Sequence, residues 1–378
     1  MLFLSSLSFF ALGVALVLFG TNQAELARDL ALDLEQSGFL GASLALGLGG
    51  GVMIGGPLYD RLPRKQLFVV SAALTGVALL AAAPDASYGR IVCVVLLAGI
   101  CCGIYETIVN AVIAERFSGG ATRAMAFVHA SATAGAAVGP LLMRLNPLGK
   151  GWPAAFHGLG YLHLGIAVVG LFSAFPAAHS GQVTRPAARV GWRSGGLAAL
   201  GCVAFAYVGV ENGLTVFAVP WAQSRGAEAG VGQAGISALW LGLLCGRLLL
   251  AAQRPSAHAA PQLLDAGGVL AGVIVGVASQ FDGVPLPWAT LLTGIVLGPV
   301  FPLMMSLTAQ RFPHALGTTM GLVAGAGAAG GFCVPWLAGV VADTASVRVT
   351  IGGLGVLGLA IGAAAWMLRP TRASASVA

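Results

Sequence analysis

The sequence predicts an all-α integral membrane protein whose twelve transmembrane helices form two six-helix bundles. Three observations carry that prediction. Only 8% of the 378 residues are charged, against about 25% in a soluble domain that must face water. Hydrophobic residues make up 57%, with a mean hydropathy of +0.89, so most of the surface is built for a medium other than water. The apolar residues also fall into twelve runs, each close to the roughly 20 residues that cross the hydrocarbon core.

The first run, near 4–24, has the hydropathy of a signal peptide but no basic n-region and no A-x-A site. More spans follow it, so it is expected to stay as the first helix. The next runs lie near 37–58, 66–84, 90–114, 123–145 and 153–176. A second set lies near 196–222, 231–251, 262–281, 286–309, 316–340 and 347–368. Between the sets is the longest polar stretch, 177–195, with Arg185, Arg189 and Arg193. The expected organisation is therefore a bundle over 1–176, a basic linker over 177–195 and a second bundle over 196–378. With so little chain outside the spans, no catalytic domain is expected, and the function must lie between helices.

Basic residues set orientation, because loops rich in Lys and Arg stay in the cytoplasm. One side collects Arg61, Arg64, Lys65, Arg116, Arg123, Arg185, Arg189, Arg193, Arg247, Arg254, Arg311, Arg369 and Arg372. The other has Arg28, Arg90, Arg144, Lys150, Arg225 and Arg348, which completes the 19. Both termini and the linker are thus expected in the cytoplasm of a multi-pass cell-membrane protein. The formal charge of +6 is spread singly between apolar runs, so no nucleic-acid partner is expected.

Several chemistries lack their signatures. The six cysteines sit in apolar stretches without CxxC or Cys/His spacing, so neither a disulfide nor a metal is expected. There is no Walker loop, no G-x-S-x-G elbow and no H-E-x-x-H. The expectation is a protein with no cofactor that is not an enzyme.

Polar residues inside a bilayer are costly, about 2.5–3.5 kcal/mol for a charge at a helix centre, and so face the bundle interior or a wet cavity. Glu106 and Glu211 are the two deepest carboxylates, one in each half. Each is a candidate for proton exchange or for hydrogen bonding a polar solute; the plainer reading is a structural acid that joins helices. Asn110 lies one turn from Glu106 on the same face, whereas Asn212 is adjacent to Glu211 and points elsewhere. His129 reads as a helix–helix partner or a cavity wall. Arg247 reads either as a site residue or as a cation that snorkels toward Arg254 and the surface. Trp240, mid-span, reads as a wall able to stack on a ring; Trp152, Trp221 and Trp288 read as interface anchors, and Asp265 as a wetted acid.

The loop after the second span reads Gly47-x8-Gly56-x3-Asp60-Arg61-x-Pro63-Arg64-Lys65. The two glycines thin the helix for a close neighbour, and Asp60 would favour a helix N-terminus or pair with a basic neighbour. These residues form an expected cytoplasmic gate. The pattern resembles the signature loop of the major facilitator superfamily, with Pro63 where that pattern has glycine. The stretches Gly103-Ile-Tyr-Glu106-Thr-Ile-Val-Asn110, Tyr207-Val-Gly-Val-Glu211, Leu239-Trp240-x5-Gly246-Arg247 and Gly298-Pro-Val-Phe-Pro302 further resemble its fucose–proton symporter branch. That resemblance implies two bundles around a midplane substrate site, with Glu106 as the span-4 carboxylate. Where the symporter has an aspartate in span 1, this chain has Gly20, with Asn22 and Gln23 nearby.

The expected function is secondary transport of a small polar solute, a sugar or similar metabolite, by alternating access. Protons are the candidate coupling ion, the bilayer is the only other partner, and the protein is expected to work as a monomer. An exporter of drugs or apolar metabolites on the same scaffold, and a non-transporting sensor, are the alternatives.

Overall fold

The computed structural model describes residues 1–116, 121–176, 192, 196–253, 259–283, 285–312 and 316–369, with the side chains of 60, 114, 121–123 and 316–318 left aside. The linker arginines, Arg254 and Arg372 lie outside these residues, as does the Asp60 side chain. The described residues form thirteen helices and no strand. The first bundle comprises α1 (Leu2–Asp29), α2 (Leu34–Arg61), α3 (Arg64–Leu80), α4 (Tyr88–Arg116), α5 (Ala121–Arg144) and α6 (Trp152–Phe172). The second comprises α7 (Leu197–Ser224), α8 (Ala229–Gln253), α9 (Ala260–Gln280), α10 (Leu286–Leu297), α11 (Val300–Arg311), α12 (Leu316–Thr344) and α13 (Val347–Trp366).

The tenth expected span is thus broken into α10 and α11. Pro299 at the break has no N–H to continue the ladder, and its ring displaces the preceding turn. Counting these two as one rod gives twelve. Eleven rods are long and apolar enough to cross a membrane. The twelfth, α3, has 17 residues, at the short end of the spanning range.

Helix ends follow local chemistry. Asp33 caps α2 by accepting from Gln36 N at 2.6 Å, while Gln36 Oε1 accepts from Asp33 N, a reciprocal box that satisfies two end donors. Pro63 sits at the cap of α3 with φ −61°, a geometry suited to a helix start. α7 ends where Gly226, at φ 71°, turns the chain so that Ala227 N reaches Ala222 O and Gly226 N reaches Gln223 O. Only glycine adopts that left-handed turn at no steric cost.

Within each half, helices meet backbone to backbone through paired glycines. A Cβ on Gly47 would lie 2.3 Å from Leu96 O and one on Gly51 2.0 Å from Ile100 O, while Gly103 answers from α4 against Leu48 O at 2.2 Å. The second half repeats the device. Gly242 and Gly246 on α8 meet Leu291 O and Ile295 O at 2.2 Å, and Gly294 on α10 meets Leu239 O at 2.1 Å. Lipid offers no hydrophobic drive between helices, so close van der Waals contact through such small residues holds them together.

The halves join along α2–α12, α5–α8 and α1–α7. The contact is tight on the face opposite the N-terminus, the far face. There Asp343, near the end of α12, accepts from Leu34 N at 3.1 Å and Glu35 N at 2.6 Å, the first amides of α2. Below them, a Cβ on Gly38 would lie 2.5 Å from Pro335 O and one on Gly339 2.5 Å from Leu34 O, and Phe39 packs edge-on against Phe332 and Trp336. Gly49, facing Ala328 Cβ at 2.8 Å, is the last such contact. Seven residues further along each stripe, Gly56 and Gly321 meet nothing within 4 Å. Among the described residues, α2 and α12 are therefore packed together at the far face and part toward the N-terminal face.

Two expected interface anchors prove to be interior. Trp152 is fully buried and donates to Asp29 Oδ2 at 3.1 Å, and Trp221 is buried under the Arg225 guanidinium, 4.7 Å from its ring centroid. Their nearness to span ends suggested a headgroup position, but Trp152 finds a carboxylate and Trp221 a guanidinium over its ring within the protein. Trp288 is 64% exposed, as an anchor would be.

Candidate functional site

Polar residues of the two halves meet where α5 of the first approaches α8 of the second, beside α7. On α7, Tyr207 and Glu211 are one turn apart, so the Tyr207 hydroxyl donates to Glu211 Oε2 at 2.5 Å. Arg247 on α8 donates from Nη2 to Tyr207 Oη at 3.2 Å and from Nη1 to Thr133 Oγ1 on α5 at 2.6 Å. Tyr207 thus stands between a guanidinium and a carboxylate, giving and receiving one hydrogen bond. The Arg247–Thr133 bond crosses from one half to the other. Arg247 therefore points into the protein rather than snorkelling toward Arg254, because two buried acceptors hold it there.

Around this cluster, Thr215 donates to Glu211 O at 2.8 Å and accepts from Trp240 Nε1 at 3.2 Å. Trp240 is only 3% exposed, packed between α8 and α7. In this state its ring is not a free wall. Phe301, at the start of α11, places its ring 6.1 Å from that of Tyr207.

In the first half, His129 Nε2 donates to Asn110 Oδ1 at 3.2 Å, and Phe9 packs edge-on to the imidazole at 4.9 Å. His129 thus joins α5 to α4, as a helix–helix partner would, and is partly exposed. Glu106, one turn before Asn110, is also partly exposed and makes no hydrogen bond or ion pair among the described residues. It differs in this from Glu211, whose carboxylate accepts from Tyr207 on its own helix, with Arg247 of α8 bonded to the other side of that hydroxyl.

The remaining candidates lie elsewhere. Asn212 Nδ2 sits against Gly331 of α12, 2.6 Å from where a Cβ would be, and so faces away from the Glu211 cluster. Asn22 donates to Leu18 O at 2.7 Å and contacts Met143 Sδ at 3.3 Å, turned toward α5. Gln23 is buried, at 3% exposure, near the far-face end of α1, where Thr21 O accepts from Gln233 Nε2 of α8 at 3.0 Å. The structure does not bring Asn22, Gln23 or Asn212 into the Arg247–Tyr207–Glu211 cluster.

The expected gate loop is tied to its own half. Arg64, 6% exposed, donates to Glu115 Oε2 at 2.7 Å with its guanidinium 4.2 Å above the Tyr59 ring, and the Tyr59 hydroxyl donates to Glu115 Oε1 at 3.0 Å. Arg61 and Lys65 are exposed. Gly47 packs against α4 as expected, but Gly56 faces open space, so the glycine pair does not act as one packing unit here. Asp265, expected to be wetted, pairs with Arg369 at 17% exposure.

Sequence reasoning missed Thr133, Thr215, Glu115 and Asp343 as partners, and gave Tyr207 no role. The i,i+4 spacing of Tyr207 and Glu211 could have paired them. Nothing local marks Thr133, whose importance comes from a helix 114 residues away in the chain.

Two six-helix halves that meet along paired helices and hold buried polar groups between them form the fold of a membrane transporter. The chain belongs to the Major Facilitator Superfamily, whose family model matches residues 1–332. No curated protein sequence matches it. Among solved structures it is similar in fold to a D-xylose–proton symporter, with TM-score 0.79 and 15% identity over 98% of this chain and 97% of that one. It is similar also to the nucleoside transporter NupG, with TM-score 0.75 and 13% identity over 96% and 98% of the chains. A bacterial homologue of the human lysosomal transporter Spinster, inward-facing and occupied, has TM-score 0.72 and 16% identity over 97% and 93%.

Proposed function

We propose that the protein is a secondary transporter of a small polar solute, moving it by rocking the halves 1–176 and 196–378 about the cleft between them. The observation that carries this reading is the Arg247–Thr133 bond. It places a guanidinium, a tyrosine and a carboxylate of one half beside the polar residues of the other, within a chain that is 57% hydrophobic. Such groups are retained in a bilayer where they meet a polar solute, an ion or water. Glu106, Asn110 and His129 line the first half's side, and Arg247, Tyr207 and Glu211 the second's. The family and the folds it resembles support transport over enzymatic activity. The xylose–proton symporter among those folds supports a sugar-like solute with protons as the coupling ion.

In this reading both termini and the 177–195 linker are cytoplasmic, and the protein works as a monomer. The structure then represents the inward-facing state, since the far face is the sealed one. Thermal unfolding of the purified protein across a panel of pentoses, hexoses, nucleosides and lipophilic drugs tests the solute class, because a ligand of the folded state raises the melting temperature with its concentration. Stabilisation by a sugar or nucleoside, followed by its uptake into proteoliposomes, is the expected result. Stabilisation by the lipophilic compounds alone would replace the polar-solute reading with the exporter.

A further inference from the structure

The Arg247–Thr133 bond is uneven in what its two partners stand to lose. A guanidinium carries several N–H donors. Among the described residues Arg247 makes two hydrogen bonds, from Nη2 to Tyr207 and from Nη1 to Thr133, and its buried Nε has no partner. Thr133 is placed differently. Its hydroxyl donates to His129 O, one turn back on α5, at 3.3 Å, and offers Arg247 only a lone pair at 2.6 Å. If the two separate, Thr133 keeps its own bond, whereas Arg247 loses one of its two. The polar residue one turn before Thr133 on the same face is His129, which is bonded to Asn110, and Ser131 lies on another face. α5 therefore offers Arg247 no second acceptor at this level.

The same cluster shows what chemistry can take the place of Thr133. Arg247 and Glu211 stand on either side of the Tyr207 hydroxyl, so a guanidinium and a carboxylate offset each other across one phenol. What the guanidinium takes from the other half is a neutral hydroxyl, not an acid. Thr133 and Tyr207 are each 1% exposed and Glu211 9%, while Arg247 keeps a partly exposed surface. A solute thus meets the cluster at Arg247, and a neutral hydroxyl oxygen fits there without disturbing the charge balance.

We infer, on the polar-solute reading above, that Thr133 stands in for the solute. In the empty transporter its hydroxyl holds the Arg247 donor that a hydroxyl of a sugar or other neutral polyol takes when the cleft is loaded. Thr133 is then a competitor of the solute and not its ligand. Loading exchanges a bond between the halves for a bond to the solute, and so unties α8 from the middle of α5. The tie between Gln233 Nε2 of α8 and Thr21 O of α1, nearer the far face, is untouched by the exchange. An internal competitor lowers affinity, so its removal should raise it. A solute ligand would show the opposite sign, and a residue that only packs would show none.

The test titrates the full purified chain with D-glucose, D-ribose and uridine and reads thermal stabilisation. Thr133→Val and Thr133→Ala both remove the hydroxyl. Half-saturation should fall about tenfold for each probe that binds, the factor that corresponds to about 1.4 kcal/mol and lies in the range for a buried donor left without its acceptor. Thr133→Ser, which restores the hydroxyl, should bring it back toward the wild-type value. In an Arg247→Gln background the gain from Thr133→Val should vanish, because no guanidinium is left to free. D-glucuronate, which brings a carboxylate, should bind no tighter than D-glucose. Where wild type binds a probe, unchanged or weaker binding by both hydroxyl-free variants would overturn the competition and leave the polar-solute reading standing. So would a gain that survives Arg247→Gln, or a preference for D-glucuronate. Failure of every probe to stabilise wild type and variants alike would instead remove the polar-solute reading, and the competition with it.

Discussion

Glu106 and Glu211 are matched in depth, yet only one is occupied. Glu211 receives the Tyr207 hydroxyl, and Tyr207 in turn receives Arg247, so this acid belongs to a network that already balances it. Glu106 has Asn110 one turn away, but Asn110 is bonded to His129. A carboxyl without a partner among the described residues is the better placed to exchange a proton or to meet the solute. Glu106→Gln preserves shape and hydrogen bonding but does not ionise. The variant should still exchange solute across proteoliposome membranes and fail to accumulate it against a gradient. Wild-type, pH-dependent accumulation would remove Glu106 from coupling, and joint loss of binding and exchange would make it a solute ligand or a structural acid. That Glu106 belonged to the candidate set was readable from its distance to flanking arginines. That Glu211 is paired was readable from Tyr207 one turn away; that Arg247 stands behind Tyr207 was not, because it rests on where α8 sets its guanidinium.

At the scale of the helix, two devices invite measurement. Asp343 uses its carboxylate as the N-terminal cap of a helix in the other half, where the unpaired amides of α2 carry partial positive charge. Losing such a cap costs about 0.5–2 kcal/mol, and here the loss falls on the seal between halves. In a background without native cysteines, Ser37→Cys, at a position 1% exposed beside the seal, should react severalfold faster with a membrane-impermeant thiol reagent once Asp343→Ala is added. An unchanged rate would show that the glycine and aromatic contacts hold the far face alone. The second device is the glycine pairing of α8 and α10. Gly246→Ala sets a methyl 2.2 Å from Ile295 O and should destabilise the protein by about 1–3 kcal/mol. Gly56→Ala, which meets nothing, should leave the melting temperature unchanged or raise it slightly. Similar losses from both would contradict the packing role of the first and the open position of the second.

For the whole molecule, the orientation argument and the geometry join in one prediction. Reporter fusions after Arg185 and after Arg369 should both report the cytoplasm, since counting the loops of the sequence assigns thirteen of the 19 basic residues to the side of the N-terminus. A signal from the opposite compartment at either site would invert the molecule, and the state with the parted N-terminal face would then be outward-facing. The number of spans and their division into two sets follow from apolar runs of bilayer length, which no soluble fold tolerates, and so they were legible before any coordinates. The break at Pro299 was present in the sequence as Gly298-Pro299, but hydropathy averages over it.

What the sequence by itself determined is the solvent and the scaffold: a chain this apolar must satisfy its backbone within helices, and charge asymmetry orders them. It also supplied the polar residues that a bilayer tolerates only with a purpose, Glu106, Asn110, His129, Glu211 and Arg247 among them. The tertiary structure alone decided which of these meet. Thr133 and Arg247 are 114 residues apart, Leu34 and Asp343 are 309 apart, and neither partner carries a local mark of the other. Helix periodicity tells which residues share a face, but which face meets which is settled by packing, here by glycines that let two backbones come within about 2 Å of a missing methyl.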